Sequence, residues 1–404
     1  MNRKMDLSRR GFLKAASAAA GAAIGGHIAG PLMRNAGAQA IGGEKSALVV
    51  LYLGGGYNSL FTGPDAFLTD GTFGVTNGNV MDLGNGLFTD APTFGTMPAF
   101  ARSHMASIGI RHQTTSHEES KRLNWTVGGN RAYPLILANE MGGDAAIKCA
   151  AIRDRPDMDG VDVGTEGGVS MQVISNMDAT IRALGGGEPD PRVPDRDIAA
   201  KGITAARTMS AGRMVGNAKS LVTVKDGYDT AIDALVKPVK PFVFADLANA
   251  YGHPVNQFGT DSFRARLVAA ELMVLAGANV ITIEDGGWDT HEDRDGSNVR
   301  DMMMNDILPS VNTFLQRMLQ LEGYNVVFTI MGDFARSLPG SDHQPNMTAT
   351  VIGKYVKTGT TGKTDNDVAL PATTPRNQQY WAYLSKALKV PTEPFGPDPH
   401  KLIL

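Results

Sequence analysis

The chain has 404 residues, enough for one large α/β domain or two small ones and too many for a peptide module. Its 38 Lys and Arg against 41 Asp and Glu give a net charge of −3. Six of those basic residues and one acidic residue lie in the first forty positions, so the remainder carries −8, which argues against nucleic acid as a partner. The single cysteine, Cys149, excludes an intramolecular disulfide.

The first forty residues read as an export signal. Asn2-Arg3-Lys4 gives a positive start, and Ser8-Arg9-Arg10-Gly11-Phe12-Leu13-Lys14 is a twin-arginine pattern. A weakly apolar Ala/Gly run follows from Ala15 to Gly30, and Ala38-Gln39-Ala40 is a small-residue cleavage site, which makes Ile41 the expected mature N-terminus. The apolar run is too short and too rich in glycine to span a bilayer as a stable helix. No later stretch reaches that length, so no transmembrane anchor is expected in the mature chain. The twin-arginine translocase is the expected partner during export, and the periplasm or the exterior the destination. Residues 41–404 are read as a single domain, with an irregular insertion at about 153–208.

Ala47–Leu53 is the first predicted strand, followed by Gly54-Gly55-Gly56-Tyr57-Asn58-Ser59. The glycines invite a nucleotide reading, but the G-x-G-x-x-G spacing and the helix after it are missing. Phe61–Pro98 reads as a long irregular excursion, and Met97–His104 as a short helix. Ala106–Arg111 is the second strand, ending on His112-Gln113-Thr114-Thr115-Ser116-His117-Glu118-Glu119. Ser116 with Glu119 has the capping-box spacing and opens a helix that carries Trp125. Ala145–Ile152 is a third strand, with Cys149 as a core residue. Helices are predicted at about Thr208–Val236, Phe244–Ala250, Thr260–Leu275 and Val299–Leu321. The stripe Met302, Met303, Ile307, Leu308, Val311, Phe314, Leu315 and Met318 in the last of these is read as core.

Asn279–Ile283, mostly β-branched and apolar, is a buried strand that runs into Glu284-Asp285-Gly286-Gly287-Trp288-Asp289-Thr290-His291. Asp289 and His291 are two apart, so an extended backbone puts both on one side, as half a metal site or an acid–base pair. Asn325–Met331 is a further strand, ended by Gly332-Asp333-Phe334-Ala335-Arg336. After Asp342-His343, Thr348–Ile352 is another strand, and Arg376–Leu388 is the last helix. Neighbouring residues of an extended segment point opposite ways, so Asp342 and His343 suit two different ions, one each. Strands alternating with helices mean an α/β fold with a mainly parallel central sheet flanked by helices. In such sheets ligands bind beyond the carboxyl ends of the strands, where four of these loops begin.

The pattern strand-GGG-x-N-S, then SH, GGWDTH, DFAR and DH resembles the exported family known as domain of unknown function 1501. That family is grouped with the alkaline phosphatase, sulfatase and cofactor-independent phosphoglycerate mutase superfamily. The resemblance spans the mature chain, with GGWDTH its most specific motif, and implies an alkaline-phosphatase-like fold. It implies that Asp289 and His291 bind one metal, that Asp342 and His343 divide between two, and that Ser116 is the nucleophile by position. Ser116 reads equally well as the helix N-cap. His117 matches as a ligand or general acid, against a plain solvent-facing residue, and Asp333 competes with Asp342 as the strand-end carboxylate. His400 is a weaker ligand candidate; His253 and His104 read as structural or surface residues.

Several positions depart from the family pattern. Asn58 stands where the family has Asp, Ser59 replaces Gly, Phe61 replaces Asn, Glu-Phe-Gly-Arg becomes Asp333-Phe334-Ala335-Arg336, and Gln344 follows the Asp-His pair. A neutral amide at position 58 removes a full charge from a hard-cation site. One zinc ion on Asp289, His291 and His343 is therefore the expected complement, the second site holding an ion weakly or not at all.

The reading is an exported metal-dependent hydrolase of phosphate or sulfate esters, or a relic of one, with Arg336 or the metal holding the small anionic substrate. The alternative is a non-catalytic exported binding or assembly protein on the same fold. Replacing Arg9 and Arg10 by Lys is expected to leave the precursor in the cytoplasm on cell fractionation; unchanged export would remove the twin-arginine assignment.

Overall fold

A run as apolar as Ala47–Leu53 is stable only in a strand covered on both faces, and the computed structural model places it at the centre of an eight-stranded sheet. The structure describes residues 44–57, 79–184, 196–211, 243–337, 340–362 and 370–404. The expected export signal, Asn58, Ser59 and most of the predicted helix Thr208–Val236 lie outside them.

In chain order the strands are β1 (Lys45–Leu53), the hairpin β2 (Val80–Gly84) and β3 (Leu87–Asp90), β4 (Met105–Arg111), and the small pair β5 (Thr126–Gly128) and β6 (Arg131–Ala132). There follow β7 (Cys149–Ile152), β8 (Met171–Ile174), β9 (Val280–Asp285), β10 (Tyr324–Gly332), β11 (Asn346–Gly353) and β12 (Gly359–Thr360). The main sheet has the order β12-β4-β11-β10-β1-β9-β7-β8. β1 pairs in parallel with both β10 and β9, β7 with β9 and β8, and β12 with β4. Only β11 among these eight runs against its neighbours, β10 and β4. Register then decides where chemistry sits. Leu53 lies opposite both Asp285 and Gly332, so three parallel strands leave the sheet at one level.

Helices flank this sheet in two groups. α1 (Ala99–Arg102) precedes β4, and α2 (His117–Trp125), α3 (Tyr133–Met141) and the C-terminal α10 (Asn377–Ala387) meet through an aromatic cluster in which Tyr133 stacks on Trp381 at 5.2 Å. α4 (Met177–Leu184), α5 (Arg196–Ala211) and α6 (Phe244–Ala250) lead to α7 (Phe263–Leu275), which packs on α9 (Leu308–Met318) and β9. α8 (Ser297–Met302) precedes α9. Among the described residues no helix is long and apolar enough to cross a membrane.

Four local expectations need correction. The excursion Phe61–Pro98 contains the β2–β3 hairpin, closed by Asn85 and Gly86 at φ 55° and 75°; this Asn-Gly pair is a two-residue hairpin signal that the surrounding loop composition obscured. The single helix expected over Val299–Leu321 is divided: a π turn at Met303–Ile307 separates α8 from α9, because Pro309 has no N–H to continue the ladder. The insertion after Arg153 contributes β8 to the sheet edge, and α5 starts at Arg196, well before Thr208, on an alanine-rich stretch of high helix propensity. Ser262, not Thr260 or Asp261, caps α7 by accepting from the Ala265 N–H.

Cys149 is buried in β7, and burial pushes its thiol up to about 12, as suits a core residue. Two buried imidazoles give the fold a pH dependence. Burial pushes His112 and His400 down to about 4, and His400 Nδ1 is matched to the Thr361 hydroxyl at 2.7 Å. Both rings are neutral when folded and regain the ordinary value near 6.5 on unfolding, so the unfolded chain binds more protons between these limits. Stability should be full above about pH 6.5 and fall as pH drops towards about 4, by up to about 3 kcal/mol per ring. Denaturant melts of His400→Asn across that range should show a shallower acid limb than the wild type.

Candidate functional site

Because Leu53, Asp285 and Gly332 are level, the loops Gly54–Tyr57, Gly286–His291 and Asp333–Arg336 leave the sheet together. β4 is parallel to β10 across the reversed β11, so His112–Ser116 emerges at the same end, and the start of β11 brings Asp342-His343 there as well. Isolated bridges Tyr57–Ala335 and Arg336–His343 knit the loops to one another.

The GGWDTH turn is held from below. Trp288 is buried, donates its indole N–H to Asp285 at 3.0 Å and its backbone N–H to the Gly54 carbonyl, while Arg266 braces Asp285 at 2.7 Å. Gly55 has φ 121°, and a Cβ there would lie 2.3 Å from the Asp289 backbone nitrogen, so only glycine lets the two loops close.

Asp333 is fully buried and accepts from the Tyr52 hydroxyl at 2.7 Å, the Gly55 N–H at 3.1 Å and His117 Nδ1 at 2.8 Å. Asn124 donates to the carbonyls of Gly332 and Asp333 and fixes this corner to α2. Burial first, and then the Asp333 charge, raise the Tyr52 phenol well above its ordinary value, so it stays a donor.

Four side chains gather above this base. One ligand atom from each of His117, Asp289 and His343 lies within 4.8 Å of the other two. His117 Nε2 is 3.9 Å from Asp289 Oδ2, while Asp289 Oδ1 meets His291 Nδ1 at 2.5 Å. His343 Nδ1 meets the Thr115 carbonyl at 2.8 Å, and His343 Nε2 faces His291 Nε2 at 2.9 Å. The partners fix the tautomers. A carbonyl or carboxylate only accepts, so each Nδ1 carries the proton and each neutral ring offers an Nε2 lone pair. Two such lone pairs at 2.9 Å repel unless a proton or a cation lies between them. His117 and His343, tied through Nδ1 to Asp333 and the Thr115 carbonyl, and the half-exposed Asp289 carboxylate make a donor set that fits a zinc-like ion, with His291 Nε2 beside His343. Burial and the nearby Arg336 charge hold His343 below the ordinary histidine range, which favours the ligand form.

The predicted residues fare unequally. Asp289, His291, His343 and His117 come together. The group whose ligand atoms all lie within 4.8 Å is His117, Asp289 and His343, so His117 stands where His291 was expected; His291 touches it through Asp289 and His343, and Asp342, whose backbone pairs with Ser337, does not join it. Asp333 is the strand-end carboxylate that reaches the site, through His117. Ser116 is the N-cap of α2, accepting from the Glu119 N–H at 3.4 Å and donating to Glu118 at 2.8 Å. Arg336, expected to hold an anion, is fully buried; it donates to the carbonyls of Gly56, Ser341 and Gly55 and to Asp289. Four of its five N–H donors are engaged in this way and the side chain has no exposed surface, so its role is to fasten three loops. His400, His253 and His104 lie in separate environments, on Thr361, the Gln257 carbonyl and the Phe100 carbonyl. Asn58 lies outside the described residues. Tyr52 and Asn124 were not anticipated; a tyrosine inside the strand ALVVLYL was the available signal, since a buried phenol needs a partner.

Residues 244–379 match the family described as Protein of unknown function (DUF1501). That stretch contains GGWDTH, DFAR and the Asp342-His343 pair. No protein of curated function matches the sequence. Among solved structures, a 2-O GAG sulfatase aligns with a TM-score of 0.30 and 10% identity over 86% of this chain and 71% of its own. Ps i-CgsB in complex with k-i-k-neocarrahexaose aligns with a TM-score of 0.29 and 9% identity over 87% and 73%. Both are recorded as similarities alone.

Arg336→Lys should remove most of the fastening, since one ammonium cannot reach four acceptors on three loops. A loss of about 3 kcal/mol is expected, seen as a lower urea midpoint with an unchanged slope; an unaltered midpoint would show that the loops hold without it.

Proposed function

We propose that this chain is an exported hydrolase-like protein of the alkaline phosphatase kind, which holds one divalent ion, zinc by its donor set, and acts on a small phosphate or sulfate ester. The observation that carries the metal reading is the pair of Nε2 lone pairs on His291 and His343 facing each other at 2.9 Å, with His117 and Asp289 beside them. His117, Asp289, His291 and His343 would hold the ion, leaving Asp342 aside. When bound, such an ion polarises an ester oxygen and makes water a better nucleophile.

The chain's own part is orientation. Tyr52 and the Gly55 N–H hold Asp333, Asp333 holds His117, and the Thr115 carbonyl holds His343. Phe334, 4.7 Å from the His117 ring and 4.3 Å from that of His343, supplies an apolar floor.

A second reading has an observation of its own. The hydroxyl of Ser116 serves the α2 cap and the guanidinium of Arg336 serves the loops, so both residues expected to do chemistry have structural duties. This favours a non-catalytic exported binding or assembly protein that keeps the metal for structure.

Elemental analysis of the purified protein should find close to one zinc per chain, lost in His343→Ala. In Tyr52→Phe zinc should bind roughly tenfold more weakly, because a group behind the ligand is removed. Zinc content indifferent to His343 overturns the metal reading. Turnover of an aryl phosphate or sulfate by the zinc-loaded wild type, absent in His343→Ala, supports the hydrolase; a loaded chain without turnover supports the binding protein.

A further inference from the structure

With Arg336 buried, the crevice needs another cation if it is to take an anionic ligand, and one stands a turn further along α2. His117 and Lys121 are four apart and share a helix face. Lys121 Nζ donates to Asp157 at 2.9 Å, and the backbone N–H of Asp157 donates to Glu284 at 3.0 Å. Glu284 is level with Tyr52 in the sheet, so it lies on the same face as the phenol that holds Asp333. Lys121 is held in the field of Asp157, Asp333 and Glu284, which adjoins the cluster of imidazoles.

The Lys121–Asp157 pair is unlike the buried ion pairs of this fold. Asp90 and Glu271 are fully buried and each is gripped by an arginine, Glu271 also by the Tyr251 hydroxyl. Asp157 has a side chain 54% exposed and sits in a loop between Arg153 at φ 74° and Asp159 at φ 53°. An ion pair of that kind contributes little to stability and exchanges readily.

We propose that Lys121 is the anion-binding residue of the crevice, and that the Asp157 carboxylate holds, in the free protein, the place taken by the acidic group of a phosphate or sulfate ester. A ligand anion that takes the carboxylate's place on Nζ keeps that ammonium paired, while the 54% exposed Asp157 side chain can turn to solvent, where its charge is screened. Selectivity would then come from geometry: a tetrahedral anion can reach both Nζ and the imidazole cluster one helical turn away. This proposal rests on reading the crevice as the site of an anionic ester, and its test is arranged to fail separately from the metal reading.

The test is calorimetric titration of inorganic phosphate into the full-length protein with added zinc, as wild type, Lys121→Met and Asp157→Asn, with zinc content measured on each. Lys121→Met should bind phosphate roughly tenfold more weakly, since a charge-assisted hydrogen bond is lost. Asp157→Asn should bind it roughly two- to fivefold more tightly, since a weak competitor is gone. Zinc content should be the same in all three. A merely structural ion pair would not tighten phosphate binding when Asp157 is neutralised. Equal phosphate affinity in wild type and Lys121→Met, no gain in Asp157→Asn, or no phosphate binding by any of them overturns the proposal, whatever the zinc content. Phosphate affinity that follows Lys121 and Asp157 in a protein devoid of zinc upholds this proposal and overturns the metal reading.

Discussion

The site depends on one buried guanidinium. Arg336 leaves the sheet just after β10 and turns inward, where its donors are divided among the β1 loop, the Ser341 carbonyl and Asp289. The acceptors lie on the loops after β1, β9 and β10, so one side chain ties the three together. Desolvation pulls the guanidinium below its ordinary value while Asp289 and Asp333 pull the other way. A cation so placed compensates carboxylates that a metal would also neutralise, and so keeps them from repelling one another when they stand alone.

The level at which strands end does the remaining work. Parallel pairing of β9, β1 and β10 puts Gly286, Gly54 and Asp333 side by side, and the one reversed strand, β11, delivers His343 from the other direction. The sequence carried this well, since Asn279–Ile283, Ala47–Leu53 and Asn325–Met331 have an apolar, β-branched character legible without partners. The orientation of β11 was not legible: Thr348–Ile352 reads the same in either direction, and pairing partners far along the chain decide it. The π turn before Pro309 was equally hidden, because the apolar stripe continues across it.

Motif reading singled out the histidines that the fold gathers, while it could not see the depth at which the charged residues around them lie. His117, Asp289, His291 and His343 announced themselves as polar residues placed just past strands or just before one. Asp333 and Asp342 were indistinguishable because both sit in the loop after β10; depth decides between them, and depth is set by Tyr52 and Gly55, nearly 280 residues away in sequence. Arg336 misled for a related reason. A positive residue near a crevice suggests ligand binding, yet its burial follows from carbonyls that the sequence does not display.

The bridges beyond the strand ends have a mechanical consequence. Tyr57 N–H donates to Phe334, Arg336 N–H to Tyr57, Ala335 N–H to Asn346 and Gln344 N–H to Ala335, so the hydrogen-bond ladder runs several residues past the nominal end of the sheet. The Gly54–Tyr57 turn and the loop that carries His343 are thus a frayed margin only in name. They should open together with the central strands, not independently of them, and their amides should exchange with solvent as slowly as those of a core. A pocket whose walls are extensions of the sheet ladder has little conformational freedom to surrender when it closes on a ligand, and correspondingly little latitude to adapt its shape to a ligand it was not built for.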